Sequence, residues 1–261
     1  TLGSKEGLAN LAQAITSPGD IILSPNPSYP IHPYGFIIAG ASLRHLPAMD
    51  DGIFNPDLYL ERLERSIIES VPAPVAVIVS FPSNPTAQVV SLEFYEEVVK
   101  IALKNNVYIL SDLAYAEIYY DNSPPPSILQ IPKAKEVAVE FTSMSKTYAM
   151  AGWRIGFAVG NIRLINALTR IKSYLDYGAF TPVQVAAATA LNGPQDCVQE
   201  IRSTYQKRRD VLINSMARAG WNIPSPKASM FAWAPLPDKY KDKGSLEFAK
   251  ELMLKADVAV S

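Results

Sequence analysis

Four short runs constrain the fold of this chain more than any other feature: residues 75–81, 107–111, 137–141 and 155–159. Each is rich in β-branched and apolar residues, and none alternates apolar with polar. That pattern belongs to strands covered on both faces, the arrangement of a mainly parallel sheet between helical layers. The flanking sequence supplies the layers. A helix is predicted over about 4–16, a strand over 20–24 ending at the breaker cluster Pro25-Asn26-Pro27, a helix near 29–39 and a strand near 42–47. Leu58, Leu60, Leu63, Ile67 and Ile68 recur at helical spacing in a helix near 55–70.

Beyond residue 160 the pattern becomes mostly helical, at about 161–175, 181–192 and 194–218. It returns to strand near 229–235, helix near 245–255 and a last strand near 257–260. The expected fold class is a three-layer α/β domain with a mainly parallel sheet, residues 1–205, followed by part of a smaller C-terminal α+β domain, residues 206–261. Both ends read as cut, because Thr1 leads straight into a motif and Ser261 stops in a strand pattern. A fragment is therefore expected.

Composition removes several classes of function. The 24 basic and 25 acidic residues nearly cancel, so no strong field points to nucleic acid or an anionic membrane. No apolar run approaches the roughly 20 residues of a membrane span. The single cysteine, Cys197, forms no internal disulfide and fits a reducing, cytoplasmic setting. Its plain reading is an inert small residue on a helix. Ser123-Pro124-Pro125-Pro126 reads as a rigid surface turn. No G-x-G-x-x-G follows a strand, which counts against a dinucleotide site.

Open α/β sheets bind ligands at the carboxyl ends of their strands, and polar residues gather there. Asn84 follows the run at 75–81, Asp112 and Tyr115 follow 107–111, and Ser143 and Lys146 follow 137–141. Each has a plain reading. Asn84-Pro85 is a common turn, Asp112 and Ser4 suit helix caps, Tyr115, Tyr119 and Tyr120 suit a core, and Arg154 suits an ion pair. Together they bring an amine, an acid, an amide, a phenol and anion-binding groups to one edge. Pyridoxal phosphate (PLP) needs that set: an amine for its aldehyde, a carboxylate to keep its ring nitrogen protonated, and donors for its ring oxygen. Lys146, Asp112, Asn84 and Tyr115 are the candidates. Its phosphate needs cations and donors at a helix start, for which Ser4, Lys5, Ser143 and Arg154 are candidates, and Tyr29 is placed to cover the ring face.

The motifs Ser80-Phe81-Pro82-Ser83-Asn84-Pro85-Thr86, Ser111-Asp112-Leu113-Ala114-Tyr115 and Ser143-Met144-Ser145-Lys146, with Gly152-Trp153-Arg154-Ile155-Gly156, resemble the class I/II (fold-type I) PLP-dependent aminotransferases. Pro27-Ser28-Tyr29-Pro30-Ile31-His32, Arg170-Ile171-Lys172-Ser173-Tyr174 and Pro226-Lys227-Ala228-Ser229-Met230 bring it closer to the bacterial glutamate–pyruvate (alanine) and LL-diaminopimelate groups. The resemblance implies a PLP-transferase large domain, with Lys146 as the Schiff-base lysine and Asp112 on the ring nitrogen. It also implies Asn84 and Tyr115 on the ring oxygen, Tyr29 on the ring, and Ser4, Lys5, Ser143 and Arg154 on the phosphate. Asn84 would also hold the substrate carboxylate, and no metal is required. Lys146, Asp112 and Tyr115 would carry the catalysis. The implied reaction moves an amino group between an L-amino acid and a 2-oxo acid, alanine/pyruvate with glutamate/2-oxoglutarate first. LL-diaminopimelate transamination, a PLP-dependent carbon–sulfur lyase and a non-catalytic binding module are the alternatives.

The family's members are homodimers, which implies a partner subunit here, with Tyr174, Tyr177 and Phe180 as interface candidates. Members also carry a carboxylate-clamping arginine beyond a glycine-rich turn, and an N-terminal segment that closes the site. This sequence contains neither, so the chain as it stands is expected to transaminate poorly or not at all.

Overall fold

A strand buried on both faces must send successive side chains into two different cores, and the sheet of this protein does so. The computed structural model describes residues 1–50 and 52–260; Ser261, the terminal residue of the expected fragment, lies outside the described residues. In chain order the elements begin with α1 (Ser4–Ile15), β1 (Ile21–Asn26), α2 (Ile31–Ile38), β2 (Ser42–Pro47), β3 (Met49–Asp50), β4 (Ile53–Phe54), α3 (Pro56–Glu69) and β5 (Ala76–Val79). They continue with α4 (Leu92–Asn105), β6 (Tyr108–Asp112), β7 (Ala138–Ser143), α5 (Met144–Thr147) and β8 (Gly156–Gly160). The chain then runs through α6 (Ile162–Leu175), α7 (Thr181–Asn192), α8 (Asp196–Arg218) and α9 (Gly244–Ala256).

The main sheet has the order β2-β1-β5-β6-β7-β8. All its pairings are parallel except the last, in which Ser143 of β7 faces Gly156 of an antiparallel β8. Leu23, Val77, Val79 and Ile109 point to one face and pack with Tyr59 and Leu63 of α3 and Phe94, Tyr95 and Val98 of α4. Ile22, Ile78, Leu110, Val139 and Phe141 point to the other face, against α1, α2 and α6 through Leu8, Leu11, Phe36, Leu164 and Leu168. The result is the three-layer, mainly parallel α/β architecture expected from the sequence.

Caps set several of the helix boundaries. The Asn55 side chain accepts from Leu58 N–H at 3.0 Å and Pro56 opens α3. Asn161 caps α6 by accepting from Arg163 and Leu164 N–H, while its amide donates to Lys135 and Glu136 carbonyls. A carboxylate is also buried between layers. Glu140 of β7 accepts from Ser111 Oγ, Ser127 Oγ and Ile128 N–H; burial pushes its carboxyl upward and those three donors oppose the shift.

The structure adds α4 and the β3–β4 ribbon to the elements read from sequence. The signals for α4 were present: Ser91 accepts from Phe94 N–H as N-cap, Phe94, Val98 and Ile101 sit on one buried face, and Asn106 closes the helix at φ 54°. Two expectations are corrected. No strand forms over 229–235 or 257–260 among the described residues. The nearest thing is a single antiparallel bridge between Tyr119 and Ala228. A strand exists through its ladder, and the pairing of 118–120 with 227–229 stops at that one bridge instead of continuing along these residues.

Candidate active site

Parallel β1, β5, β6 and β7 all finish at one edge of the sheet, and antiparallel β8 starts there. The chain leaves β1 for β2 on one side and returns to β5 on the other, so this edge holds a topological switch point. A cavity of about 540 Å³ opens at it. All nine residues singled out from the sequence line this cavity: Ser4, Lys5, Tyr29, Asn84, Asp112, Tyr115, Ser143, Lys146 and Arg154. Ser80, Ala114, Ser145, Ala151 and Phe231 complete the wall.

Asp112 ends β6 and is 5% exposed. Its Oδ2 lies 2.9 Å from Nε2 of the fully buried His32, on the first turn of α2, while its Oδ1 has no partner. A buried carboxylate oxygen without a donor is costly, so the site is built to receive one at that point. The Tyr29 ring meets His32 edge-on at 5.9 Å, and Lys5 Nζ lies 5.1 Å from the Tyr29 ring centre. Burial pushes the Tyr115 phenol upward and the nearby Asp112 charge adds to this, while a hydrogen bond with the Asn84 side chain opposes it. Tyr115 is therefore a proton donor across the ordinary pH range. Lys146 sits in the short α5, whose N-cap Ser143 accepts from Ser145 N–H at 3.1 Å. Among the described residues the Lys146 amine has no hydrogen-bond or ion-pair partner, and it faces the cavity.

Two cations and the start of α1 form a candidate anion cradle in the wall of the same cavity. α1 opens at Ser4, and its N-cap Gly3 at φ +84° offers no side chain to the first N–H groups. Arg154, itself left-handed at φ 53°, is held by donating to Ala151 O at 2.9 Å and Leu2 O at 3.2 Å. A Cβ on Gly3 would meet the end of the Arg154 side chain, and its φ of +84° also favours glycine beside the helix start. Ser143, whose hydroxyl lies within donating distance of Ser145 Oγ and Ile155 O, lines the same cavity as Ser4 at the start of α1 and the two cations Lys5 and Arg154.

The unpartnered Asp112 oxygen, the free amine and this cradle fit PLP group by group. Sequence reasoning missed two contributors. His32 stood inside a quoted motif without a role, although its i+3 spacing from Tyr29 on a helix start was a usable signal. Phe231, whose ring meets Tyr115 edge-on at 5.8 Å, arrives from over a hundred residues away, and no local pattern marks it.

A lysine, a carboxylate and a group of cations and N–H donors line one cavity at the switch point of an α/β sheet. The chain belongs to the family Aminotransferase class I and II, whose pattern matches residues 1–261. It is 55% identical to the glutamate-pyruvate aminotransferase AlaC of Escherichia coli, covering 100% of this chain and 62% of that protein. It is 42% identical to the LL-diaminopimelate aminotransferase of Natranaerobius thermophilus, covering 100% of this chain and 65% of that one. Among solved structures it is similar to BacF of Bacillus subtilis without ligand, at TM-score 0.90 and 32% identity over 100% of this chain and 68% of BacF. The chain thus spans less than two thirds of the length of these two sequence relatives.

Proposed function

We propose that this chain is the cofactor-binding part of a PLP-dependent aminotransferase that moves an amino group between an L-amino acid and a 2-oxo acid. Alanine/pyruvate with glutamate/2-oxoglutarate is the preferred pairing, since the glutamate-pyruvate relative is more similar than the LL-diaminopimelate one. The observation that carries the reading is the cavity at the sheet edge, where a free amine, an unpartnered buried carboxylate oxygen and an anion cradle meet. The domain division follows the same reading: residues 1–205 hold the cofactor, and 206–261 begin a smaller domain beyond the middle of α8. A homodimer is supported by the exposed Tyr174, Tyr177 and Phe180, which are 78%, 106% and 74% accessible. No described helix is long and apolar enough to cross a membrane, and a cytoplasmic setting is part of the proposal.

When bound, PLP supplies the electron sink that makes the α-proton of an amino acid removable. The protein's own groups do the rest. Asp112 would hold a proton at the ring nitrogen, with His32 engaging Oδ2 and leaving the buried Oδ1 without another partner. The Lys146 amine would take the α-proton as base and return it as acid to the carbon that bore the aldehyde, two bonds from the α-carbon. Tyr115 and Asn84 donate to the ring oxygen, and Asn84 also meets the substrate carboxylate. Ser4, Lys5, Ser143 and Arg154 hold the phosphate, and Tyr29 confines the ring.

The test is borohydride reduction of the folded chain after incubation with PLP, followed by peptide mass mapping. A phosphopyridoxyl group confined to Lys146 is the expected result. Its absence from a chain whose circular dichroism shows it folded would overturn the assignment. Product analysis separates a transaminase from a lyase, because only the lyase releases ammonia.

A further inference from the structure

Phe231 is the one cavity-lining residue that comes from beyond α8, and its route there is unusually well fixed. Residues 226–231 form a strap laid against residues 118–121. Ser229 N–H donates to Ile118 O at 2.8 Å, and Tyr120 N–H donates to Lys227 O at 2.9 Å. The Tyr120 hydroxyl donates to Ser229 O at 2.5 Å, and Ala228 and Ser229 are both fully buried. Arg209 of α8 closes the clasp. Its guanidinium lies 4.6 Å from the Tyr120 ring centre, donates to Asp121 Oδ2 at 2.8 Å and reaches Pro226 O at 3.3 Å.

The strap then turns back toward the cavity. Ser229 adopts φ 72°, a left-handed conformation rare for a residue with a side chain, and its Oγ accepts from Phe231 N–H at 3.2 Å. That turn delivers the Phe231 ring edge-on to Tyr115, with the planes at 81°. At the other end of the same segment, Ile118 N–H donates to Tyr115 O at 3.1 Å. The path from Tyr115 through 118–120, across to 227–229 and back through Phe231 is therefore a closed circuit. A residue held only for packing needs no such circuit, and this one ends on a phenol in the cofactor cavity.

We propose that Phe231 is a positioning residue for Tyr115: the clasped strap presses its ring against the phenol's ring and so aims the Tyr115 hydroxyl at the cofactor's ring oxygen. This rests on the PLP reading above. Burial raises the Tyr115 phenol, so it reaches that oxygen as a donor. A donor there draws negative charge away from the neighbouring nitrogen that joins the cofactor to Lys146 and makes that nitrogen less basic. Misaiming Tyr115 must make it more basic.

The experiment loads the chain with PLP and measures the pH midpoint of the cofactor's visible absorption change in five proteins: wild type, Tyr115→Phe, Phe231→Ala, Phe231→Tyr and the double variant Tyr115→Phe/Phe231→Ala. Phe231→Ala is expected to raise the midpoint by about one pH unit, the size of one hydrogen bond weakened. Phe231→Tyr keeps the ring and should keep the wild-type midpoint. The double variant should titrate like Tyr115→Phe alone, because Phe231 acts only through that phenol. A wild-type midpoint in Phe231→Ala, or shifts that add in the double variant, would overturn the proposal. If Phe231→Ala does not fold, Phe231→Leu keeps apolar bulk without a ring edge and decides the question in the same way. Failure of the wild type to take up PLP at all sinks the cofactor reading and this proposal with it. Uptake with an unmoved Phe231→Ala midpoint sinks the proposal alone.

Discussion

The sheet edge and the segment after α8 both carry runs that read as strand, and they behave differently. Residues 76–80 and 109–113 are buried without a break, and every strand there has its neighbours in hand. Between 219 and 260, by contrast, the only buried residues are Ala228, Ser229 and Phe248. Trp221 and Tyr240 pack on Phe248 at 5.4 and 4.7 Å between ring centres, a cluster too small to be a second core. Apolar β-type sequence becomes a strand only where another strand lies beside it. The difference also explains the placement of the chemistry, because groups that must be held to a fraction of an ångström are mounted on the first region. The second region lends one ring, Phe231, and does so through a strap pinned to the first.

The largest effect that sharpens this contrast is at Asp112. Asp112→Ala removes the carboxylate that meets His32 and, on the proposed function, would pair with the ring nitrogen. Any transamination by the PLP-loaded protein should fall about 10²–10³-fold or more, with the fold kept. A variant with activity within a few fold of wild type would show that the ring nitrogen is not managed at this edge.

Core truncations put the same contrast in terms of stability. Phe141→Ala empties a fully buried site on β7 and should cost about 3–5 kcal/mol in urea denaturation. Phe248→Ala removes a ring of the same size, 5% exposed, from the small cluster, and should cost about half as much. Its loss should melt α9 without disturbing PLP uptake. Equal costs for the two, or loss of the cofactor in Phe248→Ala, would mean that the two regions fold as one unit.

The sequence was legible where the physics is local or carried by type. Two-face burial marked β5, β6 and β7, whereas β8 forms as a strand but lies at the sheet edge and is mostly half-exposed; helical spacing marked α3, and the chemical needs of PLP selected nine residues that one cavity collects. What stayed hidden is non-local. His32 matters because α2 brings its ring to Asp112 from 80 positions away. Phe231 matters because a left-handed Ser229 turns the strap. The strands at 229–235 and 257–260 failed for the complementary reason: their residue types are right, but pairing is a property of two segments and a sequence window holds one.

The smallest expected effect asks whether order at the edge owes anything to surface charge. Lys172 of α6 bridges Glu6 of α1 at 2.7 Å and Asp176 at 2.8 Å, tying together the helix that starts the anion cradle and the helix packed on it. Burial works to lower the Lys172 ammonium, but its hydrogen bonds to Asp176 and Glu6 outweigh that and hold it above its ordinary value. The same bond holds the Asp176 carboxyl below its ordinary value. The depressed acid contributes stability that is present above 3.8 and lost as pH falls through the lower folded value. The raised base contributes stability that is present below 10.5 and lost as pH rises through the higher one. Lys172→Met should therefore cost about 1 kcal/mol at neutral pH, solvent screening keeping it small. The gap to wild type should close in strong acid and in strong base. Thermal melts of both proteins across pH check this. A gap that persists in acid would assign the loss to packing of the lysine's aliphatic stem along α1, and would make the contrast between the two regions a matter of apolar contact alone.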